Sequence, residues 1–194
     1  MHHIYHTTGI IFDARETGEA NKFLTILTRE EGMVRAAAQG IRHGKSKLRF
    51  ALQDFSYAKI DLVRGRDVWR VTSAQPISSF LSLSLSRDTA PLFKNIIKLV
   101  GRLYDGESPN EALFDHLMET FTALSEKKFT ATDLKHFEVV VVLRILYHLG
   151  YLAHTKENDA LVRSPLDGRL IEEAAKVRAE MLTAINQSLR ETQL

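Results

Sequence analysis

The apolar residues of this chain follow two different periodicities along its 194 positions. Up to about residue 74 they occur in short runs of strand length, separated by turn-forming residues. After Pro76 they recur every three or four positions, the spacing that places side chains on one face of an α-helix. The pattern therefore predicts a β-rich first part and a helical second part.

Five apolar runs in the first part predict five strands. The runs occupy residues 10–12, 23–27, 33–34, 55–63 and 68–71. Gly32 lies between the second and third runs and Gly65 between the fourth and fifth, where glycine can supply the positive φ that tight hairpin turns require. Five strands in about 75 residues is the count of an OB-fold barrel, with an SH3-like barrel as the alternative.

Four helices are predicted in the second part, at about residues 92–104, 109–124, 130–149 and 170–189. Ser108 and Thr130 are the expected N-caps of the second and third helices, and Gly150 is the expected end of the third. Valines at positions 139–142 favour a strand by propensity alone, but the length of the apolar stretch, its cap and the glycine favour a helix. The fold class is therefore α+β, with a five-stranded OB-fold barrel in residues 1–78 and a C-terminal helical domain in residues 79–194.

The composition, 44% hydrophobic and 26% charged residues, is that of a globular protein. The chain has no cysteine, which excludes disulfides, thiolate metal sites and a cysteine nucleophile. Its first residues lack the pattern of a secretory leader, and no apolar stretch approaches the ~18 residues of a membrane helix. The sequence therefore predicts a cytoplasmic protein that does not associate with membranes.

Positive charge is concentrated in the first part of the chain. Residues 35–70 contain 9 Lys and Arg but only 3 Asp and Glu, although the whole chain has a net charge of only +2. No acidic residue occurs between Gly32 and Gln53. This stretch includes residues 38–49, the basic loop, whose four cations are Arg42, Lys45, Lys47 and Arg49. A loop of this kind can follow a phosphate backbone, and the alternative is an ordinary solvated loop.

Aromatic residues near the basic loop are candidates for stacking on nucleic-acid bases, as single-strand-binding barrels do. They are Phe50, Phe55, Tyr57 and Trp69. Strict alternation along the fourth strand would place Phe55, Tyr57 and Lys59 on one side and the apolar residues at 58, 60 and 62 on the other. Phe55 and Tyr57 are therefore the predicted stacking residues.

Catalytic patterns are scarce in the sequence. It contains no glycine-rich phosphate loop, no nucleophile elbow and no HExxH motif. The acidic residues of the helical part lie among Lys, Arg, Ser and Thr, as on a solvated surface. The sequence therefore predicts a protein that is not an enzyme and that carries no cofactor and no catalytic residue.

Several segments resemble the N-terminal domain of the RecO family of bacterial recombination mediators. They are residues 9–12 with Gly18–Glu19, 23–32, 38–42 and 46–55, followed by Arg64–Gly65–Arg66 at that family's turn between the last two strands. Residues 134–138 and 149–151 are similar to the family's Leu-Arg-Arg-Phe-Glu and Leu-Gly-Tyr elements. The resemblance implies a protein that binds single- and double-stranded DNA, anneals complementary strands and, with RecR, helps to load RecA onto SSB-coated DNA.

The resemblance and the charge pattern together give the candidate site residues. The predicted phosphate contacts are Arg35, Arg42, Lys45, Lys47, Arg49, Arg64, Arg66 and Arg70. The family binds the acidic, apolar tail of SSB on its helical domain, and Lys135, just ahead of Phe137, matches a basic position there. The resemblance thus implies DNA, RecR and the SSB tail as direct partners and RecA as an indirect one.

The sequence also departs from the family pattern. Many members carry a four-cysteine zinc site just after the Leu-Gly-Tyr element, where this chain has residues 153–159 and no cysteine, so no zinc is expected. The chain is also shorter than family members by a few tens of residues, so the resemblance does not extend to contacts made by the family's last helices. Two other functions fit the residues: an RNA-binding OB-fold protein, or a protein-interaction adaptor that has lost DNA binding.

Overall fold

The computed structural model describes residues 3–153, 155–156 and 158–191. The described residues form five strands: β1 Ile4–Thr17, β2 Asn21–Thr28, β3 Gly32–Ala38, β4 Ser56–Arg64 and β5 Trp69–Ser79. Seven helices follow or interrupt them: α1 Leu48–Ala51, α2 Leu81–Leu85, α3 Ala90–Leu103, α4 Glu111–Glu126, α5 Ala131–His148, α6 Asp159–Arg163 and α7 Gly168–Glu191. None of the described helices combines the length and the apolar character needed to cross a membrane.

The five strands form a closed barrel in the order β1-β2-β3-β5-β4. All neighbouring strands are antiparallel except β3 and β5, which close the barrel as a parallel pair. That closure is short, with Ala36 opposite Trp69 and Ala37 opposite Arg70. The predicted α+β class and five-stranded OB-fold barrel are confirmed.

Both predicted hairpins are present, but their two glycines act differently. Gly32 has φ +73°, the positive value expected for the β2–β3 turn. Gly65 does not have a positive φ, so that part of the prediction is wrong. A Cβ atom at Gly65 would collide with the carbonyl oxygen of Val68, which accepts a hydrogen bond from the Gly65 amide at 3.1 Å. Glycine is required there for close approach of the backbone.

The barrel core follows from alternation along the strands. On β4, Ala58, Ile60 and Leu62 point inward and are at most 1% exposed, whereas Lys59 is exposed on the outer surface. Trp69 fills the interior from β5 and is 2% exposed. Burial of each large apolar side chain contributes about 1.5–3 kcal/mol, which makes the core the main source of barrel stability. The alternation predicted for residues 57–62 is confirmed.

The predicted third helix is confirmed as α5, including both of its end signals. The Thr130 hydroxyl accepts a hydrogen bond from the Asp133 amide at 3.1 Å, and the Asp133 carboxylate accepts one from the Thr130 amide at 2.9 Å. Gly150 follows the helix with φ +78°. The predicted cap of the second helix is wrong: α4 begins at Glu111, because the Asn110 side chain accepts the hydrogen bond from the Leu113 amide at 3.0 Å.

The chain divides into two compact units. Unit 1 contains Met1–Ser82 and Tyr104–Phe114, and unit 2 contains Leu83–Leu103 and Asp115–Leu194. The sequence places the division between residues 78 and 79 and assigns residues 104–114 to the helical part. In the structure residues 104–114 belong to unit 1, with the barrel. The sequence could not predict this, because their contacts to the barrel include hydrogen bonds and ion pairs between positions far apart in the sequence, which periodicity does not report.

Candidate nucleic-acid interface

The basic loop is folded into consecutive turns and is attached to the β1–β2 hairpin. Gly40, with φ +65°, begins the first turn, in which its carbonyl accepts from the His43 amide at 3.1 Å. The Arg42 amide donates to the Ala20 carbonyl at 2.9 Å, and the Gly40 amide donates to the Asn21 side chain at 2.8 Å. Because its backbone is held at these points, the loop presents its cations from a fixed framework.

The four cations of the basic loop are all exposed. Arg42 is partly engaged, since its guanidinium lies 3.2 Å from the Glu16 carboxylate and donates to the Gly18 carbonyl at 3.3 Å. Lys45, Lys47 and Arg49 make no salt bridge with any residue that the structure describes. The loop therefore offers three unpaired positive charges and one partly neutralised charge to an anionic ligand.

A cleft of about 560 Å³ lies beside the basic loop in unit 1. Its lining combines cations, carboxylates and apolar groups: Glu16, Lys22, Ile41, Arg42, Arg49, Gln53, Asp54 and Leu81. Arg42 and Arg49, which are seven positions apart in the sequence, face the same cleft. The cleft thus brings together two of the predicted phosphate contacts with groups that can hydrogen-bond and with apolar surface.

The four aromatic residues near the loop differ in accessibility, and the most exposed one is not among the predicted stacking residues. Phe50 in α1 is 71% exposed. Phe55 and Tyr57 are half-buried, and the Tyr57 ring lies 6.2 Å from that of Phe114. Trp69 is inside the barrel. Phe50 belongs to a helix of four residues, too short for periodicity to reveal, although its position in the acid-free stretch was a usable signal.

Phe55 also departs from the alternation that selected it. It precedes β4 and adopts φ +62°, an unusual value for a residue with a side chain. Its amide donates to the Ile11 carbonyl at 2.8 Å, and its carbonyl accepts from the Phe80 amide at 2.9 Å. Phe55 is thus a backbone junction of the barrel, and the strand geometry that would place it on the face of Tyr57 begins only at Ser56.

Three other barrel arginines are paired with carboxylates from residues 105–111, a segment that we call the acidic strap. Arg29 lies 3.1 Å from Glu111, Arg35 lies 3.6 Å from Asp105, and Arg64 lies 2.9 Å from Glu107. The Arg64 guanidinium is also 5.4 Å from the centre of the Trp69 ring. Two of the predicted phosphate contacts, Arg35 and Arg64, therefore have carboxylate partners already.

The acidic strap is fixed to the barrel by more than ion pairs. The Met33 amide donates to the Gly106 carbonyl at 3.0 Å, and Trp69 Nε1 donates to the Glu107 carboxylate at 2.8 Å. The Tyr104 hydroxyl donates to the Ser108 carbonyl, and burial raises the pKa of that hydroxyl above its ordinary value. The Met33 and Trp69 bonds connect the strap to β3 and to the interior of the barrel, and the Tyr104 bond holds the strap to the residue that precedes it.

The two remaining predicted phosphate contacts are exposed. Arg66 lies in the β4–β5 turn, and Arg70 points outward from β5 beside Ala37 of β3. Neither makes a salt bridge within the part of the chain that the structure describes. Both are therefore accessible to a ligand.

Lys135 lies in unit 2, exposed near the start of α5. It lines a groove of about 440 Å³ with Arg87, Asp88, Pro91, Leu92, Asn95, Phe129, Ala131, Leu134 and Glu138. The groove combines apolar side chains with two cations and two carboxylates. Such a lining suits a peptide that carries both apolar and charged groups.

The sequence did not reveal a buried polar cluster in unit 2. Arg144, 4% exposed, donates to the carbonyls of Leu161, at 2.7 Å, and Ser164, and lies 3.7 Å from Glu119. Burial, together with the nearby positive charge of Arg144, lowers the pKa of His116 to about 3 and that of His148 below its usual range. The cluster holds both histidines neutral near pH 7 and connects α5 to the segment that contains α6.

The described residues contain no group of three or more His, Asp or Glu side chains placed to share a metal ion. Within residues 153–159, the segment that the resemblance aligns with the zinc site of many family members, His154 and Glu157 lie outside the described residues.

Comparison with known proteins agrees with the barrel. The family model for the N-terminal part of recombination protein O matches residues 1–80. The chain is 30% identical over 155 residues to a DNA repair protein RecO from Dehalococcoides mccartyi, a match that covers 80% of this chain and 60% of that protein. It is 36% identical over 148 residues to the DNA repair protein RecO of Heliobacterium modesticaldum, which covers 76% and 52%, respectively. The chain thus matches little more than half the length of these relatives.

Proposed function

Because this chain belongs to the RecO family, we propose that it binds single- and double-stranded DNA without sequence specificity and acts in recombinational DNA repair. The role is non-catalytic, and its place of action is the cytoplasm. The observation that carries the proposal is the set of exposed cations on the basic loop, beside a cleft on an OB-fold barrel.

Electrostatics favours the basic loop as the main contact. Lys45, Lys47 and Arg49 can each neutralise a phosphate without first losing a carboxylate partner, and Arg42 lies at the cleft beside them. Phosphate contacts of this kind position a strand but do not read its sequence. Annealing follows if two strands are neutralised on one molecule, because the repulsion between their backbones then falls.

A salt series tests the proposal. Replacement of Arg42, Lys45, Lys47 and Arg49 by Ala should shrink the slope of log K against log salt by about 0.7 per lost contact on single strands and by about 0.9 on duplexes. The matched control replaces four exposed cations of unit 2, Lys94, Lys98, Arg169 and Lys176, by Ala. Unfolding curves establish that both variants are folded.

An unchanged slope for the loop variant would contradict the proposal, as would an equal decrease in the control. Competition between DNA and RNA single strands of the same sequence distinguishes a DNA-binding protein from an RNA-binding one. A wild-type protein that binds neither at low salt would be the protein-interaction adaptor.

The partner proteins follow from the family: RecR, the SSB tail and, indirectly, RecA. We place the SSB tail in the groove that Lys135 lines, because an acidic peptide with apolar side chains complements cations beside Leu92, Phe129 and Leu134. Lys135→Glu should weaken binding of an SSB tail peptide by about tenfold or more, since it replaces an attraction by a repulsion. Lys176→Glu, an exposed change on α7, is the control, and equal affinity for the two variants would remove Lys135 from the site.

A further inference from the structure

We propose that the cleft beside the basic loop accepts an unpaired nucleotide and that Phe50 stacks on a base of the same strand, so that the protein prefers single-stranded to double-stranded DNA. The inference rests on the proposed DNA binding and adds to it a strand preference and the residue that sets it.

Phe50 is held in position although its ring is in solvent. Its neighbours Ala51 and Leu52 are fully buried in the barrel core, and the Leu52 amide donates to the Leu48 carbonyl at 3.0 Å. The backbone on the C-terminal side of Phe50 is therefore anchored while the ring remains 71% exposed. Because the backbone beside Phe50 is already ordered, stacking of a base restricts only the side chain, which favours binding.

The surroundings of Phe50 distinguish it from an ordinary exposed apolar residue. Single exposed apolar side chains are common and need no function; Leu85, 76% exposed, is one on this chain. Phe50, however, directly follows Arg49 and lies three positions from Lys47, two cations without a salt bridge among the described residues. An aromatic ring beside free cations is the combination that binds single strands, since the cations take the phosphates and the ring takes a base.

The cleft supplies the groups that a nucleotide requires. Ile41 and Leu81 offer apolar surface, and Gln53 offers an amide that can both donate and accept hydrogen bonds. Arg49, which faces the cleft, also immediately precedes Phe50, so phosphate and base contacts are adjacent along one chain segment.

The carboxylates of the cleft limit where a phosphate can lie. Glu16 is neutralised by Arg42 at 3.2 Å, whereas Asp54 makes no salt bridge with a described residue. Asp54 would repel a phosphate but can accept a hydrogen bond from the exocyclic amino group of a base. A phosphate is therefore expected near Arg49 and a base edge near Asp54. Paired bases also show amino groups in the major groove, so the requirement for an unpaired base comes from stacking on the Phe50 ring, which a base inside a duplex cannot do.

The experiment measures binding of a labelled single strand of mixed sequence and of a duplex of the same length to the full chain. Phe50→Ala should weaken single-strand binding by about fivefold to a hundredfold, the range observed for loss of one stacked base. Duplex binding should change by less than about twofold, because phosphate contacts are retained. Phe50→Leu should behave like Phe50→Ala, and Phe50→Trp should retain affinity. Leu85→Ala is the control for loss of an exposed apolar side chain.

Fluorescence gives an independent measurement. The chain has a single tryptophan, Trp69, which is buried, so Phe50→Trp adds one exposed indole. Its emission should be quenched by a single strand and not by the duplex.

The inference is overturned if Phe50→Ala leaves single-strand affinity unchanged, if it weakens both ligands equally, or if Phe50→Leu retains full affinity. None of these results affects the salt slope of the four-cation loop variant, which tests DNA binding itself. A loss of salt dependence in the loop variant with no effect at Phe50 would therefore refute the nucleotide site and leave the proposed function in place.

Discussion

The basic loop contains four cations, and three barrel arginines lie beside the acidic strap. The two groups differ in what their cations contact. In the loop, Lys45, Lys47 and Arg49 have no carboxylate partner among the described residues. Under the strap, all three of Arg29, Arg35 and Arg64 have one. The comparison teaches that positive charge counted along a sequence is not the positive charge available to a ligand.

The small energy of an exposed ion pair limits how far the strap reduces the charge that its arginines offer to a ligand. The Arg64 and Glu107 side chains are 64% and 40% exposed, and exposed ion pairs contribute about 0–1 kcal/mol. A phosphate can therefore compete for Arg64, but it must displace Glu107, which also accepts from Trp69 Nε1. Contacts to Lys45, Lys47 and Arg49 displace no described carboxylate, so DNA should bind there first.

The largest expected effect comes from Gly32, where the strap approaches β3. Gly32→Ala puts a side chain at φ +73° and places its Cβ 2.7 Å from the Ser108 carbonyl oxygen and 2.9 Å from that of Gly106. Both contacts are to backbone, which cannot rotate away, so the free energy of unfolding should fall by about 2–4 kcal/mol. Denaturant unfolding of the whole chain measures it.

Gly44→Ala is the matched control in the basic loop. A Cβ there meets nothing within 4 Å and φ is not positive, so the free energy of unfolding should change by less than about 0.5 kcal/mol. Equal losses for the two variants would show that the strap is no more tightly packed than the loop.

Much of the fold could be predicted because it depends on local signals. The five strands follow from apolar runs and α5 follows from the Thr130 capping box and Gly150. Residues 104–114 could not be assigned to the barrel, because the Met33–Gly106 and Trp69–Glu107 hydrogen bonds join positions far apart in the sequence. The need for glycine at position 65 was predicted, but for the wrong reason. A sequence does not distinguish a glycine required for close approach of the backbone from one required for a positive φ.

The candidate site was predicted less completely than the fold. The acid-free stretch located the basic loop. Strand alternation then selected Phe55 and Tyr57 for stacking, and Phe50 was passed over because its helix of four residues has no periodicity to detect. The carboxylate partners of Arg35 and Arg64 could not be predicted either, because they lie far from these arginines in the sequence. Whether each candidate contacts DNA stays a prediction.

A smaller effect on stability should separate the aromatic residues of the two regions. Trp69→Phe removes the donor to Glu107, weakens the ring contact with Arg64 and leaves a cavity in the barrel, which should cost about 2 kcal/mol of unfolding free energy. Phe50→Leu should cost less than about 0.5 kcal/mol, because its ring is in solvent. Thermal unfolding compares the two, and a Phe50 variant as unstable as the Trp69 variant would mean that Phe50 is part of the core.

The smallest expected effect is the most direct test of the comparison. Lys47→Ala should reduce the salt slope for single-strand binding by about 0.7, whereas Arg64→Ala should reduce it by less than half of that, because Glu107 already neutralises Arg64 at 2.9 Å. Glu107→Gln removes the competing charge and keeps an acceptor for Trp69 Nε1. Arg64 should then contribute a phosphate contact, and the magnitude of the salt slope should rise by up to about 0.7. Arg64→Ala in the Glu107→Gln background should cancel that rise. A rise that persists without Arg64 would come from the change in net charge alone, and Glu107 would then have no specific effect on the arginine that it pairs with.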